Sequence, residues 1–121
     1  MMTNEHQPWF FIRSNSRYEK VNLRDIVYAE ALKNYVRIVT RQKNWLVLIS
    51  MKELEKALPP GEFCRVHRSF IISLEHTLAF DKDTVYMPQA NIPIGESYRR
   101  VLENQINLLV KEANQPMKLP V

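Results

Sequence analysis

The segment Phe63-Cys64-Arg65-Val66-His67-Arg68-Ser69-Phe70 combines cationic and hydroxyl side chains with apolar residues between them. In a strand that runs into a turn, alternate side chains lie on one face, so we expect Arg65 and His67 to share a face. Arginine with a neighbouring histidine or serine provides the donors that proteins use on phosphates and base edges. The segment therefore indicates nucleic-acid binding, and an amphipathic strand with a solvated basic face is the alternative.

The composition is that of one globular domain. The chain has 121 residues, of which 45% are hydrophobic and 25% charged, and a net charge of +4 that suits nucleic-acid binding without requiring it. Cys64 is the only cysteine, which excludes an internal disulfide and predicts a cytoplasmic location. No apolar run approaches the ~20 residues of a membrane helix, so no membrane association is expected.

Short runs of β-branched and aromatic residues, separated by turn formers, predict a mainly β fold. Antiparallel pairing is expected because the strands do not alternate with helices. The expected strands are residues 9–13, 17–21, 26–31, 35–40, 45–49, 63–66, 70–73, 76–80, 84–87 and 90–94.

Two helices are predicted. Ser50 and Glu53 form a capping box, and the helix that follows is ended by Pro59-Pro60-Gly61. A C-terminal helix over 97–110 is expected to bury four residues at helical spacing, namely Tyr98, Leu102, Ile106 and Leu109. The domain is expected to span 9–112, with a disordered lead at 1–8 and a flexible tail at 113–121.

No catalytic or metal motif is present, so we predict neither an enzyme nor a cofactor. The three histidines lack zinc-ligand spacing, and with two glycines a phosphate-cradling loop is nearly excluded. Cys64 beside Arg65 is an activated thiol in one interpretation, but a core residue is the more common role for such a cysteine.

The first polar cluster is the stretch Lys33 to Arg37. Lys33 can pair with phosphate, and Asn34 either contacts adenine or forms a tight turn through a left-handed backbone. Arg37 is a further candidate for DNA binding.

The second cluster lies within the opening segment. Arg65 and Ser69 are candidates for phosphate clamping, and Arg68 for a base edge, most naturally guanine. His67 either contacts phosphate or bonds the backbone through its ring nitrogens.

The third cluster is Ser97, Arg99 and Arg100, at the start of the last predicted helix. Free amides and the dipole attract phosphate to helix N-termini, and two arginines there are unfavourable without an anionic partner. A solvated basic turn is the alternative.

Four segments in order resemble the LytTR domain, the DNA-binding output module of bacterial response regulators of the LytR/AlgR type. They are L-x-D-I-x-Y-x-E-A-x-x-N-Y-V, S-M-K-E-L-E-K-A-L-P, F-C-R-V-H-R-S-F-I-I and I-P-I-G-E-S-Y-R-R-V-L, between about Trp9 and Leu109. The resemblance implies elongated small antiparallel β-sheets with one short central helix and a C-terminal helix. It implies sequence-specific binding of double-stranded DNA, at a repeat-type operator and as a homodimer, by loops that enter successive major grooves.

The resemblance also implies roles for individual residues. Base contacts fall on Arg68, close to Ser97 and near Val36. Two departures are Ser73, where many relatives carry Asn, and Glu96, which would repel phosphate.

The chain holds no receiver domain, so we expect either a stand-alone transcriptional regulator or the output domain of a longer one. A β-rich protein-interaction module with a solvated basic face and an RNA binder are the competing hypotheses.

Overall fold

A computed structural model describes residues 8–109. These form ten strands and two α-helices, in an order that follows the predicted one. The strands are β1 (Trp9–Ser14), β2 (Arg17–Asn22), β3 (Ile26–Leu32), β4 (Tyr35–Thr40), β5 (Asn44–Val47), β6 (Phe63–His67), β7 (Phe70–Ser73), β8 (Ala79–Phe80), β9 (Thr84–Met87) and β10 (Ala90–Pro93). The helices are α1 (Met51–Ala57) and α2 (Arg99–Gln105).

A five-stranded antiparallel sheet is the centre of the fold. Its strand order is β5-β4-β3-β7-β6, so β3 pairs with both β4 and β7. Two smaller antiparallel sheets flank it, the hairpin β1-β2 and the three-stranded sheet β10-β9-β8. The prediction of a mainly antiparallel β fold is confirmed.

The central sheet has a hydrophobic core on each face. One core packs the sheet against β1, β2 and α1, through residues such as Ile12, Val21 and Leu54. The other packs it against the three-stranded sheet and α2, through Val85 and Leu102 among others. Because both faces are covered, the strands β6 and β7 carry apolar residues at successive positions and not only at alternate ones.

The capping box is present as predicted. The Ser50 hydroxyl accepts a hydrogen bond from the Glu53 amide, and the Glu53 carboxylate accepts one from the Ser50 amide, both at 3.0 Å. The bond from the Ser50 backbone amide, with a smaller contribution from the Ser50 side chain, lowers the pKa of the Glu53 carboxyl. The helix ends at Ala57, where Leu58 turns to extended backbone ahead of Pro59.

Two predicted elements are much shorter than expected. The strand over 76–80 is reduced to Ala79–Phe80, because Thr77 bonds back to Ser73 and Leu74 in a turn. The helix over 97–110 covers only Arg99–Gln105, preceded by a 3-10 turn, and Leu109 is 96% exposed. Leu102 is buried in the second core, and Ile106 is half-buried against it. The helical spacing therefore predicted these two core contacts, but its prediction of a third at Leu109 is wrong.

A β-bulge contradicts the expectation that Arg65 and His67 share a face. Arg65 lies opposite Ile71, which packs in the first core, whereas His67 lies opposite Phe70, which packs against the second. Directly opposed residues share a face, so Arg65 and His67 point to different sides of the sheet. The extra residue in the bulge is Val66, which shifts the alternation by one.

The expected lead 1–8, apart from Pro8, and tail 113–121 lie outside the described residues. The domain boundary at 112 therefore stays a prediction.

Candidate nucleic-acid interface

The first predicted cluster lies at the turn between β3 and β4. Lys33 and Asn34 form this turn and both are exposed. Lys33 takes the left-handed conformation, with φ at 51°, and Asn34 does not. The turn is therefore confirmed, but the residue expected to adopt its unusual backbone is the wrong one.

Other residues of this cluster are engaged within the protein. Arg37 in β4 forms a salt bridge with Glu30, its cross-strand neighbour in β3. Val36 is only 1% exposed and packs in the first core, so the expected apolar base contact near Val36 is wrong. Alternation along β4 explains the difference, because the residue after the exposed Tyr35 must point inward.

The second cluster forms the turn between β6 and β7. Arg65 donates three hydrogen bonds there: from Nε to the His67 carbonyl (3.3 Å), from Nη2 to the Arg68 carbonyl (2.6 Å) and from Nη1 to Glu55 Oε1 (3.2 Å). Its side chain is 19% exposed. Arg65 is therefore bonded to the turn and to α1, which leaves little of its guanidinium for a phosphate.

His67 is held in the same turn by its ring. Its Nδ1 accepts a hydrogen bond from the Ser69 amide at 3.0 Å, and the ring packs edge-on against Phe70 with centroids 5.7 Å apart. This geometry supports the backbone-bonding alternative for His67. Arg68, by contrast, is exposed and forms no salt bridge within residues 8–109.

The third cluster begins beside the bulge. The Gly95 amide donates to the Val66 carbonyl at 2.7 Å, and a side chain at Gly95 would press on Tyr98 and contact His67. Ser97 is exposed on the 3-10 turn Glu96–Tyr98. This turn therefore lies next to the end of β6, close to the second cluster.

The two arginines of the third cluster differ. Arg99 donates from Nε to the Lys82 carbonyl at 2.8 Å, whereas Arg100 is exposed. The helix that they open has only seven residues, so its dipole is a weaker phosphate attractant than that of the predicted longer helix. Arg100 is the more accessible cation of the pair.

All three clusters meet at one end of the central sheet. The Ala31 amide, near the end of β3, donates to the Ser69 carbonyl at 2.9 Å, which places the turns 33–34 and 68–69 side by side. Their centres are two strands apart, about 10 Å at ~4.8 Å per strand. Among the residues of the three clusters the exposed cations are Lys33, Arg68 and Arg100, and Glu96 beside Ser97 is an exposed anion.

Glu30 and Glu55 are the residues of this region that sequence reasoning missed. Each pairs with an arginine that was expected to bind DNA, Arg37 and Arg65 respectively. The register that places Glu30 opposite Arg37 depends on strand pairing, and the contact of Glu55 depends on how α1 packs. A sequence signal exists only for the Glu30 pair, since a hairpin turn at 33–34 implies that register.

Cys64 is a core residue. It is buried in the second core, and burial, with a smaller contribution from Glu55, raises the pKa of its thiol from 9.0 to about 11. An activated thiol needs the opposite shift. Within residues 8–109 no group of His, Cys, Asp and Glu side chains is arranged to bind a metal.

Neither helix in the described part of the chain has the length and apolar character needed to cross a membrane.

Comparison with known proteins identifies the family. The family model of the LytTr DNA-binding domain matches residues 16–107, more than half of the 121-residue chain. The chain belongs to the LytTr DNA-binding domain family. The predicted LytTr membership is thus confirmed, and with it DNA binding and transcription regulation as the family's function.

Two relatives and one solved structure show how far the similarity extends. The sensory transduction protein LytT of Bacillus subtilis is 26% identical over 94 residues, 73% of this chain and 39% of the relative. The CO-responsive transcriptional regulator RcoM of Rhodospirillum rubrum is 39% identical over 64 residues, 53% of this chain and 27% of the relative. The chain thus spans well under half of either relative.

The LytTr domain of a Bacillus cereus methyl-accepting/DNA response regulator has the same fold as this chain. The two superpose with a TM-score of 0.73 at 22% identity, over 82% of this chain and 96% of that one.

Proposed function

We propose that this LytTr domain reads a specific sequence in double-stranded DNA through the sheet end that carries the three clusters. The observation that supports this most is that Arg68 is exposed at the tip of a turn. The backbone of this turn is hydrogen-bonded to the Arg65 side chain, the His67 ring and the Ala31 amide. Arginine forms two parallel hydrogen bonds with guanine in the major groove, and this geometry requires a well-placed backbone. Arg68 is therefore the proposed base-reading residue.

The neighbouring residues suit phosphate contacts. Lys33 and Asn34 lie about 10 Å from the Arg68 turn, at two interstrand spacings, which is less than half of one ~34 Å helical turn of DNA. Both turns can therefore contact the same stretch of duplex. Arg100, Ser97 and Ser69 are further proposed contacts, whereas Arg37, Arg65, His67 and Arg99 contribute through the protein contacts described above.

In a longer protein the domain would act as the output module of a regulator. We propose that the domain acts in the cytoplasm. We also propose that it binds paired repeats as a homodimer, because one domain of this size offers few base contacts. Specific sites are usually read by two modules about one helical turn apart.

The test is a titration of the purified chain against a pool of random duplexes at two salt concentrations, followed by sequencing of the bound fraction. We expect enrichment of a short motif, and an affinity that falls steeply with salt because each phosphate contact releases counterions. Binding without enrichment would contradict base reading, and absence of binding at low salt would contradict the proposal altogether.

One observation favours a second candidate, a protein-interaction module. Strand β5 forms an edge of the central sheet, and Leu48 beyond its end is 72% exposed. An exposed edge can pair with a strand of another protein. Salt-insensitive binding of a protein partner, with no DNA binding, would support this alternative.

A further inference from the structure

The guanidinium of Arg65 occupies the inner side of the turn that presents Arg68. The three bonds described above use donors on all three of its nitrogens, and two of the acceptors are consecutive groups of the turn, the carbonyls of His67 and Arg68. The third acceptor, Glu55, lies on α1, on the face of the sheet that carries the first core. The planar fork of an arginine suits acceptors in these three directions because its donors lie on three separate nitrogens, whereas the three donors of a lysine share one nitrogen.

The Arg68 carbonyl needs such a partner because it lies beyond the end of the strand ladder. The β6-β7 pairing shifts between Arg65 and His67, and His67 opposite Phe70 is its last pair. Beyond that pair the turn is held by the two side chains at its base and by the bond from the Ala31 amide to the Ser69 carbonyl. Arg65 binds its carbonyls, and His67 accepts the Ser69 amide. Without Arg65 the carbonyl of Arg68 itself loses its side-chain partner.

The contact with Glu55 orients the guanidinium more than it stabilises the fold. The Glu55 side chain is half exposed, and ion pairs at such positions contribute little, typically less than about 1 kcal/mol. The geometric effect of this contact is larger, because it fixes the plane of the Arg65 guanidinium and so directs Nε and Nη2 to the carbonyls of the turn.

We propose that Arg65 is a positioning residue for base reading: it holds the turn backbone so that Arg68 meets a base edge, and Glu55 orients it. This inference rests on the proposed function. It departs from the expectation that Arg65 clamps phosphate. The two roles predict different behaviour, because a phosphate contact strengthens binding to every sequence, whereas a positioned turn matters only where base geometry is read.

The test compares Arg65→Lys with Arg24→Lys. Both changes keep the charge, and Arg24 is an exposed residue at the opposite end of the sheet, before β3. The measured quantities are the ratio of affinities for the enriched and a random duplex, and the slope of affinity against salt. We expect Arg65→Lys to lower the ratio at least tenfold with the slope unchanged, Glu55→Ala to lower it two- to threefold, and Arg24→Lys to leave it unchanged.

A phosphate role gives the opposite pattern. Arg65→Lys would then keep the affinity ratio, and Arg65→Ala would weaken binding to both duplexes and reduce the salt slope by about one. That result would overturn the inference while leaving the proposed function intact. If the wild-type chain enriched no sequence, the proposed function would itself fail, and the inference with it.

Amide hydrogen exchange tests the clamp without DNA. We expect Arg65→Lys to accelerate exchange at Ser69 and Ala31, whose amides bond His67 and the Ser69 carbonyl, by tenfold or more. The Leu54 amide in α1 serves as the internal control for global stability. Unchanged exchange at Ser69 and Ala31 would overturn the inference.

Discussion

The amide of Ala31 donates a hydrogen bond to the carbonyl of Ser69 over 2.9 Å. This single bond joins the ends of two hairpins that are 38 positions apart along the chain, counted from Ala31 to Ser69. It holds the turn with Lys33 beside the turn with Arg68, in a fixed register. A residue suited to phosphate and a residue suited to bases are thereby presented together.

Replacing Arg68 with alanine removes the proposed base contact. We expect Arg68→Ala to cost about 1–3 kcal/mol on the enriched duplex and far less on a random one, because a bidentate guanine contact is lost only where guanine is present. Fluorescence anisotropy with both duplexes measures this difference. Equal losses on the two duplexes would argue against base reading by Arg68.

Lys33→Asn is the matched test of a phosphate contact. Asparagine adopts the left-handed conformation that Lys33 has at φ 51°, so the charge is removed without new backbone strain. We expect a similar loss of affinity on all sequences and a salt slope smaller by about one. A loss confined to the enriched duplex would assign Lys33 to base reading instead.

Glu96 is an exposed anion at the proposed interface, on the 3-10 turn beside β6. We expect Glu96→Gln to raise DNA affinity a few-fold on every sequence at low salt, and less at high salt, because the repulsion is screened. Glu75→Gln, beyond the opposite end of β7, is the control and should change nothing. An unchanged affinity for Glu96→Gln would place the third cluster away from the DNA.

The buried thiol of Cys64 predicts a pH dependence of stability. Its pKa is raised in the folded protein from 9.0 to about 11, so between these values the folded state keeps a proton that the unfolded chain releases. Stability must therefore fall as pH rises through this interval, by about 2 kcal/mol for a shift of this size.

The measurement is denaturant unfolding of the wild type and Cys64→Ala at pH 8.5 and 10.5. Lysines and tyrosines titrate in both proteins, so only the difference between the two pH dependences reports on Cys64. We expect a smaller decrease for Cys64→Ala. The same decrease in both proteins would show that the thiol is not shielded from water.

Local patterns predicted most of the secondary structure. The capping box at Ser50, the turn at 33–34 and the alternation along β4 each depend on a few adjacent residues, so they can be read from the chain directly. The same local reasoning failed where strand alternation or helical periodicity did not continue as expected. The bulge at Val66 moved His67 to the face opposite Arg65, and α2 ended at Gln105 although Ile106 still packs against the second core.

The candidate site likewise combines features that the sequence predicted with features that depend on the tertiary structure. The sequence alone predicted the family, the β fold and the residue clusters of the proposed interface, because these depend on residue types and their order. Only the tertiary structure decided which cations remain available. It bonded Arg37 to Glu30, Arg65 to Glu55 and Arg99 to the Lys82 carbonyl, and it left Lys33, Arg68 and Arg100 exposed. The physical reason is that an arginine's partner is set by strand register and helix packing, which bring together residues that are distant in the chain.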